Sequence, residues 1–129
     1  TLPKQLMAQA DPKALEQVLV NLLQNAVKYT PESGRVELLG IQNGDTIRIE
    51  VRDDGPGIAE KHRSRVFERF YRVDRGRSKH MGGTGLGLSI VKHLVANMHG
   101  TVGVLPNEPT GSIFWVELPA AQPRAALSA

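Results

Sequence analysis

Apolar residues recur at helical spacing in two stretches of the chain and alternate at strand spacing in several others. Leu15, Val18, Leu19, Leu22 and Ala26 share one face at about 100° per residue, which predicts a helix running to about Tyr29. Asp11-Pro12 supplies its cap and first turn, and Thr30-Pro31 with Ser33-Gly34 its stop. Residues 35–41 and 46–53 read as antiparallel strands around an Asn43-Gly44 turn. Residues 59–70 read as short helical pieces. A second long helix is expected over residues 86–98, with Ile90, Val91, Leu94, Val95 and Met98 on a shared face and Gly100 as its stop. Strands are expected over residues 101–105 and 112–118, and a short one over residues 5–8. Residues 73–84 carry no apolar period, and there are no internal repeats.

A length of 129 residues suits a single domain with its own core. We expect that domain over residues 1–119, followed by a frayed Ala-rich tail over residues 120–129. The chain has no cysteine, which removes disulfides and thiolate metal sites and suits a reducing compartment. No apolar run approaches the roughly 20 residues that span a bilayer. No signal peptide opens the chain, and a start at Thr1-Leu2-Pro3 suggests a piece of a longer protein. Charge changes the picture more. Residues 60–80 hold eight Lys/Arg against three acids, a local excess of +5 on a chain whose net charge is +3. Such a segment is either a solvated face or a place for a phosphate-bearing partner. Only Phe67, Phe70 and Tyr71 interleave with these charges, so nucleic acid is not the expected partner.

Three constellations carry candidate chemistry. Asn21, Asn25 and Lys28 stack at i, i+4 and i+7 beside the apolar face of the first helix. Asparagine competes with the helix backbone for hydrogen bonds, so two at this spacing fit either a plain polar face or a site. In the latter case a carboxamide oxygen suits Mg²⁺ and the lysine suits phosphates. Asp53-Asp54-Gly55-Pro56-Gly57-Ile58 lies at a strand end. It reads as an ordinary Asp-Gly turn, or as a carboxylate accepting from an exocyclic amine where glycines admit a flat base. Gly82-Gly83-Thr84-Gly85-Leu86-Gly87-Leu88 opens a helix, where free N–H groups and the helix dipole favour an anion. No strand immediately precedes it, so a dinucleotide fingerprint is disfavoured.

In this order the motifs resemble the GHKL nucleotide-binding family, and sensor histidine kinases within it most closely. Asn21-Leu22-Leu23-Gln24-Asn25-Ala26-Val27-Lys28-Tyr29-Thr30-Pro31 resembles the N box and residues 53–57 the G1 box. Residues 66–74, Val-Phe-Glu-Arg-Phe-Tyr-Arg-Val-Asp, resemble the F box, and residues 83–88 the G2 box. The resemblance runs from about residue 11 to residue 118. It implies an α+β fold: a two-layer α/β sandwich of the GHKL (Bergerat) type, with a mixed sheet of about five strands on three helices and a mobile ATP lid.

Site roles follow from the resemblance position by position. Asn25 would ligate Mg²⁺ and Asn21 would support it, with Lys28, Tyr29 and Arg72 reaching phosphate and ribose. Asp53 would accept from the adenine amine beside Gly55, Gly57 and Ile58. Gly83, Thr84, Gly85, Leu86, Gly87 and Leu88 would form the lid hinge and wall. Ser112 stands where the family's late element usually has threonine, and no contact is expected at residues 105–107. Phe70 is assigned to the cofactor site, although Phe67 and Phe70 also fit as core anchors of the lid. The expected activity is transfer of the γ-phosphoryl of ATP to a histidine on a dimerisation domain outside the chain, with a response regulator as indirect partner. A GHKL hydrolase or a pure binding module is the alternative. Hydrolytic relatives carry a glutamate one turn before the Mg²⁺-binding asparagine; here that position is Asn21, which cannot act as a base. A monomeric cytoplasmic domain of a membrane-bound sensor is expected. Residues 73–83, with Arg75, Arg77 and Lys79 among glycines, are expected to be mobile until phosphates relieve their repulsion.

Overall fold

A computed structural model of the chain describes residues 11–71 and 86–120. Helix α1 spans Pro12–Tyr29, and its start follows from local chemistry: Asp11 Oδ1 accepts from the Lys13 and Ala14 amides at 2.9 and 3.4 Å, with Pro12 in the first turn. Thr30 is extended (φ −95°, ψ 132°), as a residue before proline must tend to be, and its amide closes the last turn on the Ala26 carbonyl. Strand β1 (Val36–Asn43) turns through Gly44, at a φ of 63°, into β2 (Thr46–Asp53). The pairing continues to Asn43 opposite Thr46, so β1 runs two residues beyond its expected end at residue 41.

The four-residue α2 (Glu60–Arg63) and turns through Phe70 follow. Helix α3 (Gly87–Asn97) precedes the hairpin of β3 (Thr101–Pro106) and β4 (Ser112–Pro119). The reversal after α3 uses His99, not Gly100, as its left-handed residue (φ 63°). Gly100 is required for a different reason: a Cβ there would overlap the Glu117 carbonyl oxygen.

The sheet order is β1-β2-β4-β3, and every described neighbour is antiparallel. The α+β sandwich is as expected, but the described sheet has four strands rather than about five and is not mixed. β4 inserts between β2 and β3, so that strands running the same way, β1 with β4 and β2 with β3, are never neighbours. The strand expected at residues 5–8 and the tail from residue 121 lie outside the described residues. Ala120, assigned to that tail, still donates its amide to the Asp45 carbonyl.

One face of the sheet builds the core. Val51, Val104, Phe114, Val116 and Leu118 meet Val18, Leu22 and Ala26 of α1 and Val91 and Val95 of α3. Each such side chain contributes about 1.5–3 kcal/mol by leaving water. Phe67 closes the end of the core edge-on against Phe114, with centroids 6.1 Å apart. Ile90, expected on the buried face of α3, is 40% exposed because the buried stripe runs through Val91 and Val95.

The opposite face of the sheet hides a carboxylate. Glu50 is only 6% exposed, and it accepts from Arg48 Nε at 2.7 Å and Arg52 Nε at 2.8 Å. Arg48 also reaches Glu117 at 2.8 Å and stacks 4.6 Å from the Trp115 ring, which lies flat over Gly103. Burial pushes the Glu50 carboxyl up, but the hydrogen bonds and charges of Arg48 and Arg52 outweigh it and hold it below the usual carboxylate range. A depressed carboxyl stabilises the fold above its unfolded pKa, and that stabilisation is lost as pH falls through its folded pKa. Glu50→Ala leaves the Arg52 guanidinium without its carboxylate and Arg48 with Glu117 alone, and is expected to cost about 1–3 kcal/mol near neutral pH. Thermal unfolding of both proteins from about neutral to about pH 3 checks this: the gap should close on acidification, and a gap that is constant or absent would contradict it.

Candidate nucleotide site at one end of the sandwich

The turn after β2 meets the end of α1, and the start of α3 meets α1 at Asn21; residues 82–85 of the third motif lie outside the described residues. Gly55 packs against the end of α1, where a Cβ would stand 3.0 Å from the Tyr29 carbonyl oxygen. Gly57, at a φ of 79°, approaches the Gly111 carbonyl at the same 3.0 Å. Both glycines are thus demanded by close approach to backbone within the chain, and Gly57 also by its positive φ, whereas the expectation was room for a flat base.

The two adjacent aspartates have different environments. Asp54 is exposed, and its Oδ1 accepts from the Arg35 amide at 2.7 Å, tying the turn to the start of β1. Asp53 is 7% exposed, and its Oδ1 accepts from the amides of Gly55 at 3.0 Å and Ser112 at 3.2 Å. Burial pushes the Asp53 carboxyl above the usual range. The two amide bonds pull it back in part, and the charge of Asp54 adds to the rise. With Oδ1 occupied twice, Oδ2 is the oxygen left to accept from a ligand amine. Ser112, expected at the site, serves it through its backbone N–H to Asp53.

Along α1, Asn21 and Asn25 behave differently as well. Asn21 Oδ1 accepts from Gln17 Nε2 at 2.7 Å, and Asn21 Nδ2 donates to the Gly87 carbonyl at 3.3 Å. Asn21 therefore bridges α1 to the first residue of α3. Asn25, one turn on, is half-buried and has no hydrogen-bond partner among the described residues. Lys28 is half-buried, with its ammonium 5.3 Å from the centre of the Tyr29 ring. No group of three or more His, Asp or Glu able to hold a metal occurs among the described residues. A cation here would meet the Asn25 carboxamide oxygen, a hard neutral donor of the kind Mg²⁺ accepts while keeping water and phosphate oxygens as its other ligands.

The remaining candidates divide. Ile58 is half-buried against the core, and its carbonyl accepts from Arg63 Nε at 3.2 Å. Leu86 caps α3, its carbonyl accepting from Ser89 Oγ at 2.8 Å, and Leu88 packs on the core. Gly87 is exposed, and a Cβ there would meet nothing within 4 Å. Phe70 is not a core anchor: it is 61% exposed at a φ of 64°, whereas Phe67 is buried. Tyr71 is fastened by a hydrogen bond between its hydroxyl and His62 Nδ1. Arg72, Gly83, Thr84, Gly85 and the proposed lid at residues 73–83 lie outside the described residues.

Two side chains hold the turn: Asn107, within residues 105–107 where no contact was expected, and Thr110, which sequence reasoning did not assign to the site. Asn107 Nδ2 donates to the Asp53 carbonyl at 2.9 Å, and Thr110 Oγ1 donates to the Gly55 carbonyl at 2.9 Å. Both bonds cross more than fifty residues of chain, so no local pattern signals them.

The family model described as "Histidine kinase-, DNA gyrase B-, and HSP90-like ATPase" matches residues 10–122. The sensor-like histidine kinase SenX3 of Mycobacterium tuberculosis (strain ATCC 25618 / H37Rv) is 45% identical over 118 residues, which cover 92% of this chain and 29% of SenX3. The chain thus spans less than a third of that relative. Among solved structures, the mycobacterial sensor histidine kinase MprB superposes with a TM-score of 0.80 at 35% identity, covering 88% of this chain and 77% of that one. Full-length ShkA in complex with AMPPNP superposes with a TM-score of 0.72 at 41% identity, covering 85% of this chain and 22% of that one. The amide stripe, the buried strand-end aspartate and the glycine-rich turn therefore stand in a chain that belongs to the histidine kinase-, DNA gyrase B- and HSP90-like ATPase family, as a catalytic ATP-binding domain of the sensor histidine kinase type.

Proposed function

We propose that this domain binds Mg-ATP and donates the γ-phosphoryl group to a histidine on a dimerisation domain outside the chain, from which a response regulator receives it. The observation that carries this reading is the buried carboxylate of Asp53 at the end of β2, where Gly55 packs on the end of the helix that carries Asn25 and Lys28. Adenine would rest on the turn at residues 53–57 with its amine on Asp53 Oδ2, and Asn25 would hold Mg²⁺, which would supply charge stabilisation to the phosphates. The ion and Lys28, with Arg72 assigned by resemblance, would spread the charge of the transferring group. The P–O bond to ADP breaks as a P–N bond forms to the acceptor imidazole, whose proton passes to a base outside this chain. The domain's work is positioning.

Asn21 favours transfer to histidine over hydrolysis. It stands where a hydrolytic relative would place a base, and both ends of its amide are engaged, by Gln17 and Gly87. Glu16 is exposed and on another face of α1. The relatives named as sensors support a domain on the cytoplasmic side, and no described helix is long and apolar enough to cross a membrane. We expect a monomer that does not bind nucleic acid.

With γ-labelled ATP and Mg²⁺, the isolated chain should stay unlabelled and release phosphate slowly. Acid-labile label on the chain would place an acceptor within it, and brisk phosphate release would make it a hydrolase. Asn25→Ala should lose the metal-dependent part of ATP binding, about tenfold or more in affinity. Titrations with Mg²⁺ and with EDTA check this: an EDTA effect as large in the variant as in the wild type would remove Asn25 from the metal site.

A further inference from the structure

The geometry assigns to Asn107 and Thr110 the role of positioning residues that set the base selectivity of the nucleotide site, by clamping the main chain that carries Asp53. The inference rests on the adenine reading given above and deepens it. β2 ends at Asp53, which is its last residue paired across the sheet, opposite Ser112. Beyond that point the ladder with β4 no longer fixes the backbone. Asp54 still ties it to Arg35 on the β1 side: its amide donates to the Arg35 carbonyl at 3.2 Å, and its Oδ1 accepts from the Arg35 amide at 2.7 Å. Yet the carboxylate of Asp53 must be aimed at one edge of a flat base. The connection between β3 and β4 takes over. Asn107 Nδ2 fastens the Asp53 carbonyl, Thr110 Oγ1 fastens the Gly55 carbonyl, and the Ser112 amide holds Oδ1 of Asp53 itself.

The clamp is rigid on its own side. Asn107 Oδ1 accepts from the Glu108 amide at 2.9 Å, which fixes the side chain with its NH₂ group toward Asp53, and the Asn107 amide donates to the Gly111 carbonyl at 3.1 Å. Gly111, at a φ of 109°, lies so close beneath Asp53 that only a hydrogen fits there. Asn107, Thr110, Gly111 and Ser112 of this one connection thus close on residues 53–55. None of their side chains need touch the nucleotide. Their effect is on direction: discrimination between an amine and a carbonyl at one base edge depends on where Asp53 Oδ2 points, because a hydrogen bond weakens steeply as its angle closes.

The experiment is a calorimetric titration of the whole chain with Mg-ATP and Mg-GTP, comparing wild type with Asn107→Ala, Thr110→Val and Thr110→Ser. Valine keeps the shape of threonine without the donor, and serine keeps the donor. Asn107→Ala and Thr110→Val should each lower ATP affinity about five- to thirtyfold and leave GTP within about twofold, so that the preference narrows. Thr110→Ser should keep the wild-type preference. Equal losses for both nucleotides, an unchanged preference, or a Thr110→Ser variant no better than Thr110→Val would overturn the assignment. Thr110 is exposed, so Thr110→Val should fold, and its thermal midpoint without nucleotide confirms this independently. A wild type that binds ATP no better than GTP would sink the adenine reading itself. A wild-type preference that survives in the variants would sink only the clamp.

Discussion

Asp53→Asn should lose about a hundredfold in affinity for ATP and most of its discrimination against GTP. The carboxylate is nearly fully buried and already takes two amide N–H groups on Oδ1. In the variant the amide oxygen can keep those two bonds, which turns the NH₂ group toward the base. A donor then faces the adenine amine where an acceptor stood. The loss combines a charge-assisted hydrogen bond with an unsatisfied pair of donors, together about 2–3 kcal/mol. Guanine, with a carbonyl at that edge, should lose far less or gain.

The wild type should show a related pH dependence. Burial first, offset in part by the Gly55 and Ser112 amides, raises the Asp53 pKa above its unfolded value. If Asp53 accepts from the adenine amine, ATP binding requires its ionised form, and affinity should fall as pH drops through that raised pKa. The sign for stability is opposite: protonated Asp53 stabilises the fold at low pH, and that contribution is lost as pH rises through the folded pKa. Calorimetry with both nucleotides across the acid range reads the binding side. Retained ATP preference in Asp53→Asn would remove this residue from base recognition.

Gly111→Ala should destabilise the domain by about 3–5 kcal/mol, because two independent costs fall on one residue. Its φ of 109° lies where L side chains are strained, and a Cβ would overlap the Asp53 carbonyl oxygen and crowd the Asp54 Cα. Both obstacles are backbone, so no rotamer change relieves them. β4 must shift away from the end of β2, and ATP binding should fail even in the fraction that folds. Gly44 supplies the control: it too has a positive φ, at 63°, but a Cβ there meets nothing within 4 Å. Gly44→Ala should cost only about 1–2 kcal/mol. Thermal unfolding of the two variants side by side tests the distinction, and equal losses would show that the contact with Asp53 is not what requires glycine at position 111.

These two residues also mark what was legible in the sequence. α1 was readable because its cap, its apolar stripe and its stop are all local: Asp11, Val18-Leu22-Ala26 and Thr30-Pro31. The β1–β2 hairpin was readable from Asn43-Gly44 for the same reason. The stations of Asp53, Gly55 and Gly57 followed from a motif whose glycines have steric meaning at the positions where they occur. What was missed depends on contacts distant in sequence. Asn107 and Thr110 reach carbonyls on another strand, and Ser112 acts through its backbone, which its side chain cannot announce. The alternation of β2 marks Glu50 as solvent-facing; only the pairing with β4, bringing Trp115 opposite and Glu117 within reach of Arg48, shows it buried. Phe67 and Phe70, three residues apart, looked equivalent as anchors, but Phe70, at a positive φ, is exposed, while Phe67 is buried and Tyr71 packs on the core.

Phosphoryl should leave ATP for a histidine on another domain. The most direct measurement is label transfer: this chain, Mg²⁺ and γ-labelled ATP are mixed with a sensor-kinase helical hairpin that bears its acceptor histidine, and the label is followed by acid and alkali stability. The account predicts acid-labile, alkali-stable label on the hairpin, absent when that histidine is replaced by alanine and strongly reduced with Asn25→Ala in this chain. Rapid phosphate release with an unlabelled hairpin, or label that persists after its histidine is removed, would contradict it.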